Sequence, residues 1–152
     1  MNKTIDDAIT LLEETSTGLL TTFIGEYRLD SRLIGPFVND GLNIYIFTLN
    51  NSNKISHIDK NPCVSLYLQN KFENTKEYKS ILINGKACKI TNDNESNNVR
   101  DKLEIKSIGY KNWIDKEGWE KWTIIKVQPE LIKYTDISKS HAPQYIEING
   151  GI

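Results

Sequence analysis

The chain has 152 residues, a formal net charge of −1 and 26% charged residues, enough length for one hydrophobic core but not for two. A nearly neutral chain without a basic run offers no field for tracking a polyanion, so its cations read as local features and nucleic acid is not an expected partner. No apolar stretch reaches the length of a membrane span, and two cysteines, two histidines and no Cys-x-x-Cys motif argue against a structural zinc site.

The first helix is predicted over residues 4–15, with Thr4 and Asp7 as a capping box and Ile5, Ala8, Ile9 and Leu12 on one face. Acids at Asp6, Asp7, Glu13 and Glu14 distinguish this segment from a secretory signal, which points to a cytoplasmic protein. In that setting Cys63 and Cys88 are expected as buried thiols. Residues 18–24 and 28–38 read as strands joined at Gly25-Glu26-Tyr27, and Asn39-Asp40-Gly41 is a hairpin turn into a third strand over 42–48. Leu42, Ile44 and Ile46 share one face of that strand and Tyr45 and Phe47 the other, as suits a central strand or one that meets a partner subunit.

The run Phe47-Thr48-Leu49-Asn50-Asn51-Ser52-Asn53-Lys54-Ile55 then ends a strand and opens a short helix framed by Ile55, Ile58 and the stop at Asn61-Pro62. A helix N-terminus carries partial positive charge and free N–H groups, so a lysine in the first turn is mildly unfavourable unless an anion lies between them. Phosphate fits that place, although a solvated Lys54 explains the sequence equally simply. Arg32, inside the neighbouring strand, has a planar fork suited to phosphate oxygens; an ion pair with Asp30 is its structural alternative.

Val64, Leu66 and Leu68 mark a fourth strand, Lys71 to Glu77 a hairpin loop, and residues 80–90 a long fifth strand. Residues 92–106 form a polar helix with Val99 and Leu103 as its narrow apolar stripe. Trp113, Trp119 and Trp122 surround a loop or short helix before the strand 122–127, as core or interface anchors. The tail 138–152 is expected to be loosely ordered. The whole is a single domain over 1–152: mainly β (α+β), a split β-barrel of about six antiparallel strands with flanking helices.

In order and spacing, these motifs resemble the flavin-binding split barrels related to pyridoxamine 5′-phosphate oxidase, and most of all their small general stress protein branch. The residues that carry the likeness are Arg32, Phe47-Thr48, Ser52-Asn53-Lys54, Asn61-Pro62, the strand 64–68, Ile81 to Ala87 with its Gly85-Lys86-Ala87, and residues 124–130 followed by Tyr134. Together they span about residues 5–135.

The resemblance implies FMN at a homodimer interface. Arg32 and Lys54 would hold its phosphate, helped by Phe47-Thr48, Ser52 and Asn53, with the backbone of Leu33 and Ile34 along the ring. Ser80 stands where relatives carry a glutamine that reaches the flavin from the other subunit, and Asn53 replaces a family arginine. The implied function is an oxidoreductase with an unknown small-molecule substrate, since no side chain in the sequence reads as a general acid, base or nucleophile and the cofactor would carry the chemistry. A flavin-binding or redox-sensing protein without turnover, and the same barrel holding deazaflavin or haem, are the alternatives. Whether the chain is an enzyme is left open. A working pyridoxamine phosphate oxidase is not expected: Phe37 replaces the family's lysine, Thr135 its tryptophan, and Ser140-His141-Ala142-Pro143 offers no arginine.

Overall fold

The structure is a computed structural model and describes residues 2–148. Helix α1 (Lys3–Glu14) starts at Asn2, whose side chain accepts from the Thr4 N–H at 2.9 Å, so the cap lies two residues before the expected box. Its Ala8, Leu11 and Leu12 are buried against strands β3 (Phe37–Asp40) and β6 (Lys79–Lys89).

Eight strands form one antiparallel sheet. The others are β1 (Gly18–Ile24), β2 (Arg28–Ile34), β4 (Asn43–Leu49), β5 (Cys63–Gln69), β7 (Trp122–Asp136) and β8 (Gln144–Glu147). Their order is β2-β1-β5-β6-β7-β4-β3, and β8 pairs with β7. Two features raise the expected six strands to eight. The segment 28–38 breaks at Gly35-Pro36, because Pro36 has no N–H for the ladder and Gly35 passes so close to Ser16 that an added Cβ would stand 2.7 Å from its carbonyl oxygen. The segment after β7 supplies β8, where Ile146 is buried and pairs with Ile132; residues 149–152 of the expected loose tail lie outside the described residues.

Register fixes what each face carries. One transverse row runs Arg32–Leu20–Leu66–Ile83–Ile132–Ile146, and its five apolar members are buried in the main core. The outward row beside it runs Leu33–Leu19–Tyr67–Leu82–Lys133–Tyr145; Leu33 is 73% exposed and Tyr145 61%. Period-two alternation also puts Cys63 and Cys88 outward, next to the buried Val64 and Ala87. The buried thiols expected from composition are therefore exposed ones.

A second core forms on the other face of β4. Tyr45 and Phe47 meet Val99 and Leu103 of α3 (Asp93–Lys106) and Ile114 of α4 (Ile108–Glu117), with Trp119 and Trp122 packed against them. Both faces of the third strand are thus filled within the chain, as suits a central strand. Glu95 fastens α3 to the sheet by accepting from the Tyr45 hydroxyl and from Lys126 Nζ, both at 2.9 Å. Among the described residues, no helix is long and apolar enough to cross a membrane, and no cluster of three or more His, Cys, Asp or Glu could hold a metal ion.

Candidate functional site

Helix α2 (Asn53–Lys60) follows β4 and packs Ile55 and Ile58 into the main core beside β1. Its N-cap is Ser52, but the Ser52 hydroxyl does not cap the helix. Instead it accepts from Lys54 Nζ at 2.8 Å, while Thr48 Oγ1, at the end of β4, accepts from the same ammonium at 2.7 Å. The lysine is thereby folded back over the positive end of its own helix, a position that a cation takes up only with compensation.

Arg32 arrives at this corner from β2. Nη1 donates to Thr22 Oγ1 at 2.9 Å and, at 3.4 Å, to the Leu20 carbonyl; Nη2 donates to Asp30 at 2.5 Å. The pairing with Asp30 weighed from sequence is therefore real, and Arg32 is fixed in place by it. His57 of α2 completes the arrangement, its Nδ1 accepting from Arg32 Nη2 at 3.3 Å and lying 2.9 Å from the Thr22 hydroxyl. With Nδ1 accepting from the guanidinium, the Thr22 hydroxyl donates to it as well, an assignment made from the network.

The two cations feel each other. Burial, and after it the charge of Arg32, lower the Lys54 pKa, and no carboxylate offsets them among the described residues. Asp30 pairs with Arg32, while Lys54 holds only the Thr48 and Ser52 hydroxyls, so the corner carries one cation without a carboxylate beside a helix N-terminus. Such a corner can bind an oxyanion.

The other residues singled out from sequence divide into two groups. Asn53 opens α2 at the corner, and Leu33 and Ile34 continue β2 beyond Arg32, Leu33 outward and Ile34 buried. Phe47 lies 5% exposed in the second core, edge-on to Trp119 at 6.1 Å, so only its backbone is free for a ligand. Ser80 lies in β6 between Gln69 and Thr135, is 6% exposed, and is not brought to Arg32 and Lys54 within one chain. His57 and Thr22 were missed. The available signal was the three-residue spacing of Lys54 and His57, which puts both on neighbouring positions of one helix face.

No protein-family model matches the chain, and no curated protein matches it in sequence. Solved structures do. A Listeria innocua protein named after pyridoxamine 5′-phosphate oxidase superposes with a TM-score of 0.69 at 22% identity, over 87% of this chain and 98% of that one. General stress protein 26 from Bacillus anthracis str. Sterne gives 0.70 at 20% identity, over 95% and 98%. The fold is that of the pyridoxamine 5′-phosphate oxidase-like proteins. A heme binding protein from Mycobacterium smegmatis has the same fold, with a TM-score of 0.79 at 12% identity, over 97% of this chain and 59% of that longer one. Likeness at these identities establishes architecture and leaves the ligand to the residues of the corner.

Proposed function

We propose that this chain is a flavoprotein that holds FMN by its phosphate and serves as an oxidoreductase for a small molecule. The observation that carries the proposal is the convergence of Arg32 and Lys54, with the lysine's pKa lowered and no carboxylate to relieve it. A phosphate dianion relieves that strain. Arg32 and Lys54 supply charge, Thr48 and Ser52 hydroxyls, and Asn53 the first N–H of α2; the backbones of Phe47, Leu33 and Ile34 border the ring. When bound, the flavin supplies the electron or hydride chemistry, while the chain positions it and excludes water.

A homodimer belongs to the same proposal. The outward row Leu33–Leu19–Tyr67–Leu82 exposes Leu33 and Leu19 on the outer face of the sheet, an apolar pair that a second copy would cover. A cytoplasmic location suits a cofactor held in this way and two exposed free thiols.

Titration with FMN and riboflavin tests the assignment. Charge-assisted contacts contribute roughly 1.5–3 kcal/mol each, so Arg32→Ala or Lys54→Met weakens FMN roughly ten- to a hundredfold and leaves riboflavin nearly unchanged. Equal affinity for both ligands, insensitive to either change, overturns it.

Haem is the second reading, supported by the fold shared with the mycobacterial heme binding protein and by cations that would suit propionates. His57 is the one histidine beside the corner, and its Nδ1 is already committed to Arg32. A visible spectrum of the purified protein separates a flavin from a Soret band.

A further inference from the structure

We propose that Asn50 is a positioning residue for the anion corner. Its side chain ties the turn Leu49–Ser52 to the start of β7, and so holds the Thr48 and Ser52 hydroxyls at the spacing that a phosphate needs. The inference rests on the phosphate reading of that corner, and it adds a residue that bonds to neither cation.

The β4–β7 ladder ends at the pair Leu49–Trp122. Beyond it the Asn50 N–H still donates to the Lys121 carbonyl, at 3.0 Å, which prolongs the pairing by one step. The side chain then uses both ends of its amide. Nδ2 donates to the Glu120 carbonyl at 2.7 Å, and Oδ1 accepts from the Thr123 hydroxyl at 2.7 Å, an orientation fixed by the two partners. The position asks for a donor and an acceptor on one short planar group, and aspartate or serine satisfies only part of that demand.

The segment on the far side of the clamp is itself anchored. Gly118, at φ 98°, turns the chain out of α4 in a conformation that favours glycine, and the 3-10 turn Trp119–Lys121 follows. The Trp119 ring carries the Arg100 guanidinium 4.1 Å over its centroid and meets Phe47 edge-on at 6.1 Å, and its Nε1 donates to Asp115 at 2.6 Å. Asn50 therefore fastens an exposed turn to a fixed support.

What it fastens is the frame of the anion corner. The Ser52 N–H donates to the Leu49 carbonyl at 3.0 Å and closes the turn. Thr48 stands just before the turn and Ser52 at its end, and their hydroxyls are the acceptors that hold Lys54 Nζ. Residues 49–51 are exposed and give no side chain to either core, so hydrophobic packing does little to order them. A turn ordered in advance spares a phosphate the cost of ordering it on binding. Riboflavin has no phosphate and draws no benefit from the clamp.

The test compares FMN and riboflavin affinities, and amide hydrogen exchange by NMR, in the wild type, Asn50→Ala, Thr123→Val and the double variant. Asn50→Ala is expected to weaken FMN about three- to tenfold and riboflavin less than about twofold. Thr123→Val keeps the β-branched shape in β7 and is expected to give part of that loss, with the double variant no worse than Asn50→Ala alone. In the ligand-free protein the Ser52 amide is expected to exchange severalfold faster in both single variants, while amides of the central strand β6 keep their rates. Unchanged Ser52 exchange, or equal losses of FMN and riboflavin, overturns the role. A wild type without preference for FMN removes the phosphate reading and this role with it. A wild-type preference that survives both substitutions overturns this role alone.

Discussion

His57 Nδ1 lies 2.9 Å from the Thr22 hydroxyl and 3.3 Å from Nη2 of Arg32, so the helix that carries Lys54 also steadies the arginine of the opposite strand. Replacing His57 by Leu removes the acceptor without touching either cation. FMN affinity is expected to fall about three- to tenfold, the loss of one hydrogen bond to a charged group. The unfolding midpoint should move by less than about 4 °C. Thr22→Val acts on the same network, so the double variant should be less impaired than the two single losses combined. Full additivity, measured by calorimetric titration, would contradict a shared role in placing Arg32.

Lys54 gives two pH dependences of opposite sign. Its pKa in the free protein lies below the ordinary 10.5, so between that lowered value and 10.5 the folded chain binds fewer protons than the unfolded one. The ligand-free protein therefore gains stability as pH climbs through this window. FMN affinity falls across the same window, because the phosphate needs the ammonium and raises its pKa on binding. Fluorescence titration of FMN and thermal unfolding of the free protein, at stepped pH, should cross in this way; in Lys54→Met both slopes should flatten.

Leu33 and Leu19 face each other across the outward side of β1 and β2, with Leu33 73% and Leu19 39% exposed. Lysine at both positions puts charge where a second copy is expected to lie. Sedimentation should then show monomers in place of dimers, and FMN retention should weaken if the second copy helps to cover the flavin. A wild-type monomer that binds FMN tightly would remove the dimer from the proposal.

Phe37 decides against one substrate. It is fully buried in the main core, under the ammonium of Lys106, and cannot offer a cation to a second phosphate. Thr135 and the Ser140–Pro143 segment add none. Absent charged partners commonly cost several kcal/mol in transition-state binding, so pyridoxamine phosphate should not be oxidised at ordinary enzyme rates. Oxygen uptake coupled to pyridoxal phosphate formation is the measurement, and a normal rate would refute the assignment.

Much of this architecture is readable from local signals. The alternation of Val64, Leu66 and Leu68, the Asn39-Asp40-Gly41 turn and the Asn61-Pro62 stop each mark an element that the structure contains. Arg32 and Lys54 were legible because a charge inside a strand and a cation at a helix start each need a physical reason. What escaped depended on distant partners. Pro129 reads as a strand end, yet β7 runs through it, because the register slips between Asn84 and Gly85 and the ladder there asks nothing of its missing N–H. A Cβ on Gly85 would stand 2.2 Å from the Gln128 carbonyl oxygen, a close approach invisible without both strands. The polar tail becomes β8 only because β7 offers it an edge, and His57 gains its role from Thr22 on another strand.

That long strand has a consequence for synthesis. Neighbouring side chains of β7 serve different cores: Ile124 lies in the second, Ile125 and Val127 in the main one. Phe47 of β4 waits for Ile124, and Ile83 of β6 for Ile132. As the chain emerges N-terminus first, β4 and β6 therefore remain unpaired on one side until residues 122–136 leave the ribosome. Until then the nascent protein has neither core closed and two strand edges open to other chains. Residues 122–136, far from the Arg32–Lys54 corner in sequence, govern how long that exposure lasts.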